Sequence, residues 1–151
     1  MLFRSTEHLS AVGDAQWKEL VASHDEIVKR EIERHRGRYV ESTGDGLIAT
    51  LDGPALAVRC AEGISDALRP LGIAIRAGVH TGEVERVGAR IRGLTVHIGA
   101  RVAALAGSGE VLVSQTVRDL AAGSGITFED AGEHELKGVP DRWHLYRVVN
   151  G

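Results

Sequence analysis

Apolar residues along this chain recur at two periods, and the switches between them mark its elements. From Trp17 onward, Leu20, Val21, Ile27, Val28 and Ile32 return at helical spacing, while Lys18, Glu19, Glu26, Lys29, Arg30 and Glu33 form an ordinary solvated face. Upstream, Ser5-Thr6-Glu7 predicts a helical start capped by Ser5, interrupted at Gly13-Asp14, where Asp14 can cap a second segment. Gly37 predicts the stop. Residues 38–51 then run apolar on both sides of a small polar knot, Thr43-Gly44-Asp45-Gly46, the pattern of a hairpin. Gly53-Pro54 opens a helix whose stripe is Ala57, Val58, Ala61, Ile64, Ala67 and Leu68, and Pro70 and Gly72 end it. Ile73, Ile75, Ala77 and Val79 alternate as a strand, and Thr81-Gly82-Glu83 turns into a second short strand around Val84 to Val87. Residues 88–93 read as a loop. A helix from Leu94 to Ala106 follows, then a short buried strand at Val111-Leu112-Val113 and a helix capped by Ser114 and running through Ala122. Late strands at 126–128 and 143–148, linked by 136–140, complete the chain.

This order would be β-α-β-β-α-β if a strand preceded residue 5, which predicts an α+β ferredoxin-like sandwich with extra C-terminal strands and a helix. Met1-Leu2-Phe3 supplies little of that opening strand, so it is expected to be mostly missing. A length of 151 residues with no repeat, low-complexity stretch or linker predicts a single domain spanning 1–151.

Composition adds exclusions. A net charge of −3 gives no basic field for nucleic acid or an anionic membrane, and 4% aromatics leave little for base stacking. No apolar run reaches the ~20 residues of a membrane span, and the N-terminus lacks the form of a secretion signal. With the lone Cys60, read as a buried small hydrophobe, these features predict a cytoplasmic protein.

The chemistry narrows to three features. P-loop, G-x-G-x-x-G and G-x-S-x-G patterns do not occur, and the seven histidines do not pair at metal-ligand spacing. Asp45 sits between two glycines at a hairpin tip, where it is either a turn former or a carboxylate presented to a hard cation such as Mg²⁺. His97 and Arg101 are four apart and share one helix face; they could hold a phosphate chain and a sugar, or simply satisfy local partners. Ala77-Gly78-Val79-His80-Thr81-Gly82-Glu83 ends a strand in a polar turn that could shape a pocket or be only a hairpin.

Four segments in order resemble the catalytic domain of the class III adenylate/guanylate cyclases, in the compact bacterial, mycobacterial-type branch. They are Ser5 to Asp14 (STEHLSAVGD), Thr43-Gly44-Asp45-Gly46, Arg76 to Glu83 (RAGVHTGE) and Gly93 to Val102 (GLTVHIGARV). The ending GEHELKGVP, residues 132–140, is similar to the same branch. Each motif is weak alone, and the ordered set covers nearly the whole chain. The resemblance implies a ferredoxin-like core that works as a homodimer, with its active site between subunits. It implies conversion of ATP or GTP to the 3′,5′-cyclic nucleotide and pyrophosphate, with two Mg²⁺ or Mn²⁺ ions between two aspartates. Asp45 matches the second aspartate and Arg101 the transition-state arginine, while His97 stands where an asparagine is usual.

The departures carry their own expectations. The family's first metal aspartate lies on the opening strand, and no Asp precedes Asp14 here, so the chain is expected to be N-terminally truncated and impaired in turnover. An open sheet position there would also permit a domain-swapped dimer. Four residues before Asp45, where adenylate-preferring members carry Lys, stands Glu41, as in guanylate-preferring ones; its partner position holds Arg90, which fits neither base. Outside the resemblance, Glu41 reads as a solvent-facing strand residue and Arg90 as a loop charge. Two readings follow: an impaired cyclase, or an inactive cyclase-homology domain serving nucleotide binding, dimerisation or regulation.

Overall fold

The computed structural model describes residues 2–6, 14–43, 46–88 and 90–149, and of these 2–6, 14–22, 40–43, 46 and 90 by their backbone alone. The elements run β1 (Leu2–Thr6), α1 (Asp14–Arg34), β2 (Arg38–Thr43), β3 (Gly46–Thr50), α2 (Pro54–Leu68), a 3₁₀ turn (Arg69–Leu71), β4 (Ala74–Val79), β5 (Glu85–Val87), β6 (Arg90–Arg92), α3 (Leu94–Leu105), β7 (Val111–Ser114), α4 (Gln115–Leu120), β8 (Thr127–Glu135) and β9 (Arg142–Val149). Among the described residues seven strands form one sheet in the order β2-β3-β1-β4-β7-β9-β8. The first four have the strand order of the ferredoxin-like core, and β7, β9 and β8 extend it.

The opening strand is fuller than its sequence suggested. Leu2–Thr6 pairs antiparallel with both neighbours, Leu2 to Arg4 with Ile48 to Gly46 and Leu2 to Thr6 with Gly78 to Ala74. Two flanking strands supply the ladder that a five-residue segment cannot supply alone. Ser5 and Thr6 therefore belong to a strand, not to a helix start; residues 7–13 lie outside the described part. Helix α1 also ends differently from expectation. Arg36 takes the left-handed conformation at φ 58°, and Gly37 N–H bonds the Ile32 carbonyl at 2.8 Å while Arg36 N–H bonds that of Glu33 at 2.9 Å. This is a Schellman ending with arginine at the position glycine usually takes.

The sheet is covered on both faces. Ile75, Ala77 and Val79 of β4 and Val111 and Val113 of β7 face one core with Val28 and Ile32 of α1, the Val58, Ala61, Ile64 and Leu68 stripe of α2, and Val117 of α4. On the other face α3 lies on β1, β4 and β7, with Ile98, Val102 and Ala106 packed on Leu112, Leu136 and Leu145. Burial on both faces explains why β7 reads as a continuous apolar run rather than an alternation. Gly78 makes the α3 contact possible: a Cβ there would lie 2.3 Å from the Ala103 nitrogen and 2.7 Å from the Gly99 carbonyl oxygen.

Residues 90–92, read as loop, form β6, which pairs with β5 as a separate two-stranded ribbon. Glu85 and Arg92 brace it with an exposed ion pair at 3.3 Å. The short strand after Thr81 thus pairs with β6 rather than folding back on β4.

Candidate functional site

Three elements carry the residues singled out by sequence, and one small apolar cluster joins them. Ile48 of β3, Ile91 of β6 and Ala103 of α3 are buried together, with Val96 and Ala100 packed against them. The β2–β3 hairpin is pinned by Ser42↔Leu47 and Thr43↔Gly46, and residues 44 and 45 between them, including Asp45, lie outside the described part. A register shift between Tyr39 and Glu41 leaves Val40 as an extra residue, so Glu41 pairs opposite Ile48. Strand β6, which carries Arg90, lies against β2, which carries Glu41. The fold therefore brings the strands of the two expected base-reading positions side by side in one chain.

His97 and Arg101 sit on α3 as the four-residue spacing requires, away from the buried line of Ile98, Val102 and Ala103. Both are half-buried. The His97 ring is held in place, because its Nε2 donates to the Lys137 carbonyl at 3.0 Å. Among the described residues Arg101 has no ion pair or side-chain hydrogen bond. Lys137 is exposed in the turn between β8 and β9. Sequence reading passed over it, although it lies inside the matched segment 132–140. Its backbone carbonyl is held by the His97 ring, and His97 lies one helical turn from Arg101.

A cavity of about 230 Å³ opens on the other side of α3, lined by Thr95, Val96 and Gly99 with His80, Arg86 and Asp52. Neither His97 nor Arg101 lines it. His80, from the strand-ending segment noted in the sequence, is wedged between strands: its Nδ1 lies 2.6 Å from the Ser114 hydroxyl, and Trp143 meets it edge-on at 5.4 Å. Ser114 consequently spends its hydroxyl on His80 and makes no side-chain cap to α4. Burial holds the His80 imidazole below its ordinary value, in the neutral form. Cys60 is fully buried on α2, and burial, reinforced by Glu31, pushes its thiol up to about 12.

The donor set among the described residues does not fit a two-ion centre. Strand β1 reads Leu2-Phe3-Arg4-Ser5-Thr6, with no carboxylate, and Arg4 is the residue registered opposite Gly46, next to Asp45. No group of three His, Cys, Asp or Glu among the described residues could hold a metal ion. No described helix is long and apolar enough to cross a membrane.

No family model matches the chain. It is 29% identical over 136 residues to a Rhizobium meliloti protein named "Putative adenylate cyclase 3", covering 84% of this chain and 23% of that protein. It is 33% identical over 129 residues to an uncharacterised Mycobacterium tuberculosis protein, covering 80% of this chain and 44% of that one. The chain thus spans less than half the length of these relatives. Among solved structures, an adenylate/guanylate cyclase/hydrolase from Silicibacter pomeroyi superposes with a TM-score of 0.86 at 21% identity, over 99% of this chain and 95% of that one. The guanylate cyclase domain of a Catenaria anguillulae protein, solved in complex with GTP, gives 0.77 at 18% over 98% and 94%. An adenylyl cyclase from P. aeruginosa gives 0.79 at 16% over 99% and 93%. Strand order, helix placement and these superpositions agree: the chain has the fold of the class III adenylate/guanylate cyclase catalytic domains.

Proposed function

We propose that this chain is a class III cyclase-type domain that binds ATP or GTP between two copies of itself and cyclises it poorly. Arg101 would be the helix-borne cation for the triphosphate, Lys137 would be a second, and Glu41 and Arg90, on adjoining strands, would read the base. In the reaction the ribose 3′ oxygen would attack the α-phosphorus as pyrophosphate leaves. Arg101 and Lys137 would neutralise the charge gathering on the phosphate oxygens. Asp45 would be a single carboxylate for a Mg²⁺ or Mn²⁺ ion arriving with the nucleotide. Glu41 accepts from guanine N–H groups, whereas Arg90 offers only donors, so the pair selects neither base cleanly.

The observation that carries the reading is the composition of β1. It pairs inside the sheet with β3 of the Asp45 hairpin, yet it brings Arg4 rather than a carboxylate to the register position opposite Gly46. The same observation favours the second reading, a domain that binds nucleotide and dimerises without turnover. Equilibrium binding of a fluorescent ATP or GTP analogue with Mn²⁺, followed alongside sedimentation, tests what the two share. Binding should track the dimer and weaken at least tenfold in Arg101→Ala. A monomer at all concentrations, or unchanged binding in Arg101→Ala, would contradict the proposal.

A further inference from the structure

The His97 ring ties a turn to a helix. Its Nε2 lies 3.0 Å from the Lys137 carbonyl oxygen, which can only accept, so this nitrogen carries the proton. The turn itself is tight: Val139 N–H bonds the Leu136 carbonyl at 2.9 Å, and Trp143 Nε1 donates to the Pro140 carbonyl at 3.2 Å. Leu136 is 3% exposed and packs in the α3 core with Ile98, Val102 and Leu145, and Val139 packs at its edge. Both ends of the turn are therefore anchored by apolar contacts, while Lys137 and Gly138 at its crest are exposed. The crest is held by the ring. Gly138 is at φ +80°, and a Cβ on it would come within 3.1 Å of His97 Nε2. The glycine thus serves twice, by taking the left-handed turn and by letting the ring reach the carbonyl before it.

We propose that His97 is a positioning residue. It latches the 136–140 turn onto α3, the helix that carries Arg101 one turn further on, and so fixes where the Lys137 side chain leaves that turn. The latch stands on the geometry above. Its consequence for nucleotide affinity rests on the nucleotide site proposed in the preceding section.

Two readouts separate these claims. The first is the rate at which trypsin cuts the folded protein after Lys137, with the fragments assigned by mass and the cut after the exposed Arg36, which precedes Gly37, as internal reference. In His97→Ala the Lys137 cut should speed by about 2- to 10-fold, the range expected for loss of one hydrogen bond, with the Arg36 cut unchanged. His97→Asn, whose amide can still donate, should restore much of the protection. Gly138→Ala should expose the same bond from the other side of the contact, which keeps the test available if His97→Ala does not fold. The second readout is affinity for the fluorescent nucleotide in the same variants, which should weaken in step with the loss of protection. Unchanged cutting after Lys137 in His97→Ala would overturn the latch. Unchanged cutting with weakened nucleotide affinity would overturn it too, by showing that the ring touches nucleotide directly. If the unmodified protein binds no nucleotide but His97→Ala still loses protection, the nucleotide site falls and the latch stands.

Discussion

Two glycines at the contact between β4 and α3 should respond to the same substitution with opposite signs. At Gly78 an added Cβ would meet the Ala103 nitrogen at 2.3 Å, the Gly99 oxygen at 2.7 Å and the Ala103 Cα at 2.8 Å. All three are helix backbone, which cannot rotate out of the way as a side chain can. Ordinary contact begins near 3.4 Å, so α3 must retreat by about 1 Å as a body. That retreat loosens Ile98 and Val102 from Leu112 and Leu145, the buried core on that face. Overpacking costs about 1–3 kcal/mol, and a clash against rigid backbone belongs at the upper end. For a domain of this size about 3 kcal/mol corresponds to a fall of roughly 6–12 °C in melting temperature. At Gly99, inside α3, a Cβ meets nothing within 4 Å. There Gly→Ala should stabilise by about 0.5–1 kcal/mol through helix propensity alone, a rise of roughly 1–4 °C. Circular dichroism melts of both variants beside the unmodified protein decide the matter. A Gly78→Ala protein melting within about 2 °C of the parent, or a Gly99→Ala protein falling as far as Gly78→Ala, would refute the packing described between α3 and β4.

Cys60 should resist alkylation by iodoacetamide at pH 8 in the folded protein and react at once in 6 M guanidinium, because its thiol is fully buried and pushed up to about 12; modification of the native protein within minutes would count against the α1–α2 packing. His80 should make stability depend on pH. Its folded value lies below the ordinary 6.5, so below that point the unfolded chain takes up a proton that the folded chain refuses. Its contribution is complete above about pH 6.5 and is lost as the pH falls from there. The urea midpoint should therefore drop more between pH 7.5 and 5.5 in the parent than in His80→Asn, and equal drops would remove His80 as the cause.

Much of this fold was legible because burial on one face leaves a period in the chain. The α2 stripe and the alternation of Ile75, Ala77 and Val79 place both elements, and the positions of the core strands follow from them. The parts that stayed hidden depend on partners far away in sequence. Leu2 to Thr6 is too short to show a period, and only ladders to β3 and β4 make it a strand. Arg90-Ile91-Arg92 reads as loop because its single apolar residue belongs to a cluster built by β3 and α3. Arg36 gave no sign of a left-handed helix ending, since the glycine beside it is the usual candidate. Within the site, the spacing of His97 and Arg101 predicted one shared helix face, as found. That His97 spends its Nε2 on a carbonyl forty residues later is a tertiary fact with no local signature.

The central claim is a nucleotide site with most of its cations and too few carboxylates. Chromatography of the products formed from ATP and from GTP with Mn²⁺, by the parent and by Asp45→Ala, tests it most directly. Loss of one preorganised charge-stabilising group costs about 10²–10³ in rate, so against a typical turnover of ~10 s⁻¹ the parent should make cyclic nucleotide at roughly 0.1 s⁻¹ or slower. Turnover near ~10 s⁻¹ that Asp45→Ala abolishes would contradict the account, because it would show a complete metal site where β1 supplies Arg4.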